Sequence, residues 1–340
     1  MRERLSALFP FLRNLAGFCL GLAVTSAVVY ALDPHLPLPV TQALEERAEC
    51  QVLIAGPSYV NSGIKPRFFD QESARIGLNL RSCKLAQAAL HGFELQHDFD
   101  LVFKHHEWPK LEYVIVDITL GDGIDLPHEN WFKPRLVDWH VGGAIPSILR
   151  YYARRPGDWL DKAPTLWAHT EHLAMNYLAI GRGMATLNSV RLLDRLGEEE
   201  IVEQSAPGQH EAIDFQGPGY GAALARLTRD KARLQASRAT GSDAWPRALR
   251  DQLRGYGYEP IFLISPVLYS KRPPRSEGPG DPVRVLDFQD PSRYPELFKQ
   301  DVRGHTSHLQ GEGPRLYSTL LARRLLELKE RHVRGRWRSR

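Results

Sequence analysis

Cysteine is scarce, with three residues in a chain of 340 and no Cys-x-x-Cys pair. That excludes a scaffold built on disulfides and leaves no pattern for a zinc site. No internal repeat runs through the chain, so it is not an array of small identical units. A basic stripe on the body is missing too. The formal net charge is +4 and the sequence pI 8.9, but the last ten residues hold five arginines and no acid, and the first fourteen are two positive. Residues 15–330 are left with a net −3, which excludes the electrostatic footprint of a nucleic-acid binder. Apolar residues, by contrast, are plentiful. Hydrophobic residues make up 43% and charged residues 25% of the chain, which excludes wholesale disorder and suits one large α/β domain with insertions.

Asn14 to Leu32 is a run of nineteen residues without a charge, following Arg2, Arg4 and Arg13. At about 1.5 Å per residue such a helix spans roughly 28 Å, close to the hydrocarbon thickness of a bilayer. The positive-inside rule keeps residues 1–13 in the cytoplasm and exports everything after residue 33. The expected place is a bacterial-type inner membrane, single-pass, with the body on the periplasmic side. A cleaved signal peptide is the alternative, with a cleavage site near Ala31 in Val29-Tyr30-Ala31. A buried globular helix is the third reading. No later segment is long and apolar enough to span again.

Residues 33–49 read as a linker, with prolines first and then a short polar helix. Gln51 to Ala55 is an apolar run stopping at Gly56, as a buried parallel strand does. Ile76 to Leu80 is expected to be the second strand, followed by Tyr113 to Ile118, Pro260 to Val267 and, more weakly, Val283 to Phe288. A closing helix from Pro314 places Leu316, Leu320, Leu321, Leu325 and Leu328 on one face. Strands separated by helical stretches indicate an α/β domain over about 50–330: a mostly parallel sheet with helices on both faces. Residues 124–255 interrupt the alternation, carry five tryptophans and read as a helical insertion, a lid in one reading. Residues 331–340 read as an unstructured basic tail.

In a parallel sheet, ligands gather at the carboxyl ends of strands. The first strand ends in Gly56-Pro57-Ser58, where glycine permits a sharp exit and serine can stand at the mouth of the sheet. The plain alternative is that Ser58 caps the next helix. Far along the chain, His305-Thr306-Ser307-His308 precedes the closing helix and can return a base to that serine. The plain alternative there is a loop histidine without a role.

The segment VLIAGPSYVNSGIKPRFFD resembles the opening block of the SGNH (GDSL-type) hydrolases, in the exported branch associated with O-acylation of cell-envelope polysaccharides. Gly63-Ile64-Lys65-Pro66 is similar to that branch's Gly-Ile-x-Pro. The segment VLDFQDPSRYPELF with HTSHLQGEGPRLYSTLLA is similar to its last block, and the resemblance spans about half the chain. It implies a flavodoxin-like three-layer fold, Ser58 as nucleophile and His308 as general base. It implies no cofactor and no metal. The family's acid, three residues before the histidine, falls on His305, so Asp301 is the nearest substitute. The second block's oxyanion glycine is absent from Asn79 to Lys84, and the third block is echoed only by Gly121-Asp122-Gly123. His305, Asn79 and Gly121 are therefore secondary candidates.

Two functions follow from the resemblance. One is an exported serine esterase or acyltransferase acting on a polysaccharide or other acylated glycan, partnered by a membrane-bound O-acyltransferase. The other is a catalytically degenerate relative that binds glycan through the aromatic insertion or scaffolds an envelope assembly. The strand assignment also predicts that Cys50 and Cys83 are free thiols. Cys50 precedes the first strand and Cys83 follows the second, so roughly 16–20 Å would part them, against the ~7 Å a disulfide allows.

Overall fold

Four of the five short apolar runs become strands, and the three central ones are buried because neighbouring strands cover both edges and helices cover both faces. The computed structural model describes residues 2–32, 37–87, 90–119, 139–140, 144–154, 158–178, 219–236, 244–268, 283–303 and 308–338. In chain order the elements are α1 (Arg2–Leu32), α2 (Leu38–Glu46), β1 (Val52–Gly56), α3 (Ser58–Gly63), α4 (Pro66–Arg75), β2 (Ser82–Ala86), α5 (Gly92–Phe103) and β3 (Tyr113–Asp117). They continue with α6 (Ile145–Arg154), α7 (Trp159–Tyr177), α8 (Gly219–Ala236), α9 (Ala244–Gly255), β4 (Pro260–Ile264), β5 (Arg284–Asp287) and α10 (Gly313–Arg338). Two 3-10 turns, Pro295–Phe298 and Gln300–Val302, lie between β5 and α10. The chain forms two compact units, one of Leu38–Gly123 with Glu203–Arg340 and one of Met1–Pro37 with Ile124–Val202.

The first of these is an α/β unit around one sheet of order β2-β1-β3-β4-β5, parallel at every pairing. Alternate residues of each strand point to opposite faces, so the sheet builds two cores. Val52, Ile54, Ile115, Ile261 and Leu263 pack with Phe69 of α4, Leu227 of α8 and Leu321 of α10. Leu53, Ala55, Val114, Val116 and Phe262 pack with Val40 of α2, Phe99 of α5 and Leu249 of α9. The strand order is that of flavodoxin-type doubly wound sheets, with the topological switch between β1 and β3. A crevice is expected beyond the carboxyl ends of those two strands.

The second strand is not where its apolar run pointed. Ile76 to Leu80 finishes α4 instead. Gly77 and Asn79 take left-handed backbone angles, and the amides of Leu78 and Asn79 return to Ser73 O, a helix-end turn in which Ile76 and Leu78 pack onto the core. The strand is Ser82–Ala86, half polar because it lies at the sheet edge. Cys83 is thus a strand residue opposite Leu53, near the amino end of the sheet. Cys50 and Cys83 form a disulfide with a Cα–Cα distance of 5.6 Å, which overturns the expected pair of free thiols. Cys19 is the free cysteine among the described residues.

Other boundaries move as well. α2 is no linker: Val40, Ala43 and Leu44 are buried against β2 and α5. Residues 124–255 are not one body, since α6 and α7 belong to the unit of α1 while α8 and α9 cover the sheet. The basic tail is helical, as α10 runs on to Arg338. In the second unit, Pro10–Val28 of α1 is the one described helix long and apolar enough to cross a membrane, and almost none of it is buried. That overturns the globular-helix reading.

α4 and α10 are joined by a charge cluster. Arg75 donates Nε and a terminal nitrogen to both oxygens of the buried Glu72, at 2.7 Å each, and Arg323 Nε donates at 2.6 Å. The Arg75 fork, against the upward push of burial and with Arg323 adding to it, holds the Glu72 carboxyl at about 2 rather than 4.5. A depressed folded-state value contributes stability above the unfolded value, and that stability is lost as pH falls from about 4.5 towards 2. Both arginines are at least half exposed, so solvent screening keeps the contribution small. Acid unfolding of Glu72→Gln should show a shallower fall across that window than the parent chain.

Candidate active site

Ser58 is placed by the strand exit rather than by helix capping. Gly56 ends β1 so close to β3 that a Cβ there would stand 2.6 Å from Asp117 Cβ and 2.7 Å from Val60 Cγ2. Only glycine fits, and Pro57 then turns the chain into α3, whose first residue is Ser58. The N-cap is Pro57, with no side-chain cap bond. The hydroxyl of Ser58 points elsewhere: Ser58 Oγ lies 2.7 Å from His308 Nε2, across 250 residues of sequence. With Nε2 unprotonated, the hydroxyl donates to it, the ground state of a nucleophile with its base. Ser58 is buried and His308 half-buried, with the Tyr59 ring 5.0 Å from the imidazole.

α3 is held firmly. Its last residue, Gly63, faces the buried Tyr317 of α10, and Lys65 N donates to Ser318 Oγ at 2.9 Å. Lys84 of β2 donates Nζ to Asn61 O at 3.0 Å, and burial with Lys65 nearby pulls its amine down to about 8. Beside Gly56, the carboxylate of Asp117 accepts from the Thr119 amide at 2.6 Å and from the Ser265 hydroxyl, which lies 3.0 Å from Tyr317 OH. Burial, then the charge of Asp117, push the Tyr317 phenol well above its ordinary value. The network stitches β3, β4 and α10 at the carboxyl edge of the sheet.

His308 stands next to two backbone ties. Arg303 and Leu309 form an antiparallel bridge, and Gln310 N donates to Val302 O at 2.9 Å. Gly313 follows where a Cβ would stand 2.5 Å from Val302 O, so the chain can enter α10 here only through glycine. Arg303 is almost wholly buried: Nε donates to Leu297 O at 3.0 Å and a terminal nitrogen to Pro266 O, and the guanidinium lies 4.6 Å from the Phe298 ring. Burial lowers it to about 10, and the neighbouring Tyr220 of α8 raises it, so it keeps its charge at neutral pH. Arg303 is a positioning residue. Arg303→Met should cost about 1–3 kcal/mol through the orphaned carbonyls and slow chemical labelling of Ser58. Arg303→Lys should rescue neither, because a single ammonium cannot span two carbonyls in a fixed fork. Unchanged labelling with lowered stability would reduce Arg303 to packing alone.

The chain matches no family model, no curated protein and no solved structure. The reading therefore rests on geometry. Of the residues named from sequence, Ser58 and His308 meet. Asp301 does not join them: it is exposed on the turn Gln300–Val302, and among the described residues no hydrogen bond links it to His308. Asn79 sits in the turn before β2, at the amino end of the sheet, away from the strand ends that carry Ser58. His305 and Gly121 lie outside the described residues. Sequence reasoning missed Asp117, Ser265, Tyr317 and Arg303. A signal existed for Asp117, a carboxylate closing the apolar strand Tyr113–Asp117; none existed for Arg303, one arginine among many.

Proposed function

We propose that the chain is an exported serine esterase or acyltransferase of the SGNH type, acting on an acylated cell-envelope polysaccharide. The observation that carries this reading is the 2.7 Å approach of His308 Nε2 to Ser58 Oγ beyond the carboxyl end of β1, at the topological switch. In the proposed reaction Oγ attacks the ester carbonyl while its proton passes to Nε2. The ester C–O bond then breaks, and the proton goes to the departing sugar hydroxyl. The acyl group remains on Oγ until water or a second sugar hydroxyl takes it, by the same proton route in reverse. The backbone amide of Ser58 contributes to holding the oxyanion.

Two independent features support export. Arg2, Arg4 and Arg13 precede the charge-free run Asn14–Leu32 of α1, as the positive-inside rule requires, and a disulfide joins Cys50 to Cys83, as oxidising compartments permit. The body then faces the periplasm, held by α1 or released after cleavage near Ala31. A tether suits a membrane-bound O-acyltransferase as the partner that supplies acyl groups. The exposure of Asp301, the acid named from sequence, favours one second reading, a degenerate relative that binds or scaffolds glycan. Exposing the full chain to a fluorophosphonate tests between them: a single adduct on Ser58 is expected, and an unmodified Ser58 in folded protein favours the scaffold. Acyl content of the surface polysaccharide, with and without a Ser58→Ala allele, then identifies the substrate.

A further inference from the structure

α7 is built with its polarity inverted. At about 100° per residue, Trp159, Leu160, Ala163, Trp167, Ala174 and Tyr177 fall on one arc of the helix, and Lys162, His169, His172 and Asn176 on the opposite arc. In a water-facing helix the first set would be inside. Here the polar set is buried. Lys162 Nζ donates to Tyr152 O at 3.0 Å, His140 Nε2 lies 2.9 Å from His169 Nδ1, and Asn176 Nδ2 donates to His140 O at 3.0 Å. The apolar set is outside: Trp159 is 57%, Leu160 85%, Trp167 64% and Tyr177 62% exposed. The same side carries one carboxylate, Glu171 at its margin, which accepts from Trp167 Nε1 at 2.5 Å. α6 adds Ile145 and Leu149, one turn apart and also exposed.

The position of this face says what covers it. α7 belongs to the same compact unit as α1, and buried Ser26 of α1 donates its hydroxyl to Leu178 O, the residue after Tyr177, at 2.7 Å. Ser26 stands two residues before the end of the apolar stretch Pro10–Val28. With Pro10–Val28 as the crossing stretch, the end of α7 stands within one helical turn of the point where α1 leaves the hydrocarbon. Tryptophan and tyrosine favour that depth, their rings in the headgroup layer and their polar atoms towards water. We propose that the outward face of α7 lies in the headgroup layer of the bilayer that α1 crosses, making the helical unit a two-point membrane mount. The inference rests on reading α1 as an anchor.

Tryptophan quenching tests it, because α1 contains no tryptophan. The full chain is reconstituted into vesicles of phosphatidylethanolamine and phosphatidylglycerol whose acyl chains carry bromine near the ester end. The expected result is that the vesicles carry the protein on flotation, that its emission is quenched, and that the combined Trp159→Phe, Trp167→Phe variant loses the larger part of that quenching while still floating. Flotation with equal quenching of parent and variant would overturn the inference and leave the anchor standing. Failure to float would overturn the anchor, and the inference with it. A photoreactive benzoyl-phenylalanine in place of Leu160, in native membranes, should attach to lipid. Attachment to a protein of defined mass would make the face a protein-docking surface and overturn the proposal.

Discussion

Ser58→Ala is expected to abolish fluorophosphonate labelling and any acyl transfer, and His308→Gln to slow labelling by about 10²–10⁴-fold, the usual range for a lost general base. The two effects should not add. Nucleophile and base act as a unit, so the double variant should be no worse than Ser58→Ala alone. The geometry makes the test clean. Ser58 Oγ caps no helix end, so its removal costs little stability, and it lies 2.7 Å from the imidazole it would serve. Asp301→Asn should leave labelling close to the parent, because the Asp301 side chain is exposed and is not hydrogen-bonded to His308 among the described residues. Labelling that survives in Ser58→Ala would place the reactive group elsewhere and end the esterase reading.

The second large effect concerns the disulfide. Cys50 and Cys83 are 33 residues apart in sequence, and closing a loop of that length removes about 3–4 kcal/mol of unfolded-state freedom in the chain-entropy account. Cys50→Ser with Cys83→Ser should therefore destabilise the sheet unit by about that amount, with Ser58 labelling unchanged below the new melting temperature. The bridge ties the start of β1 to the edge strand β2 at the amino end of the sheet, the end opposite Ser58. Thiol counting on denatured, unreduced protein should find one thiol, that of Cys19. Three thiols would remove both the bridge and its support for export.

The failed expectation about those cysteines shows where local pattern ends. Ile76-Gly77-Leu78-Asn79-Leu80 is apolar enough for a strand, but glycine and asparagine accept left-handed angles that let the run close a helix instead. Ser82-Cys83-Lys84-Leu85-Ala86 looks weak by composition, because an edge strand needs only one continuous partner and tolerates polar residues on its open side. Whether a given segment pairs is settled by what lies beside it. Composition cannot report that.

The sequence by itself determined the features written in contiguous residues: the charge-free run behind three arginines, the apolar runs Gln51–Ala55, Tyr113–Ile118 and Pro260–Val267 that hold β1, β3 and β4, the glycine-led exit to Ser58, and the amphipathic closing helix. Each depends on periodicity or on a backbone conformation that one residue type imposes. Only the tertiary structure decided the rest. It brought His308 to Ser58 and left Asp301 aside, paired Cys50 with Cys83, and set Arg303 between the carbonyl oxygens of Leu297 and Pro266. It also turned the tryptophans of α7 outward while burying its histidines. The Ser58–His308, Cys50–Cys83 and Arg303–Pro266 contacts join residues tens to hundreds of positions apart, and all of these relations are fixed by which faces the sheet and helices bury rather than by local pattern.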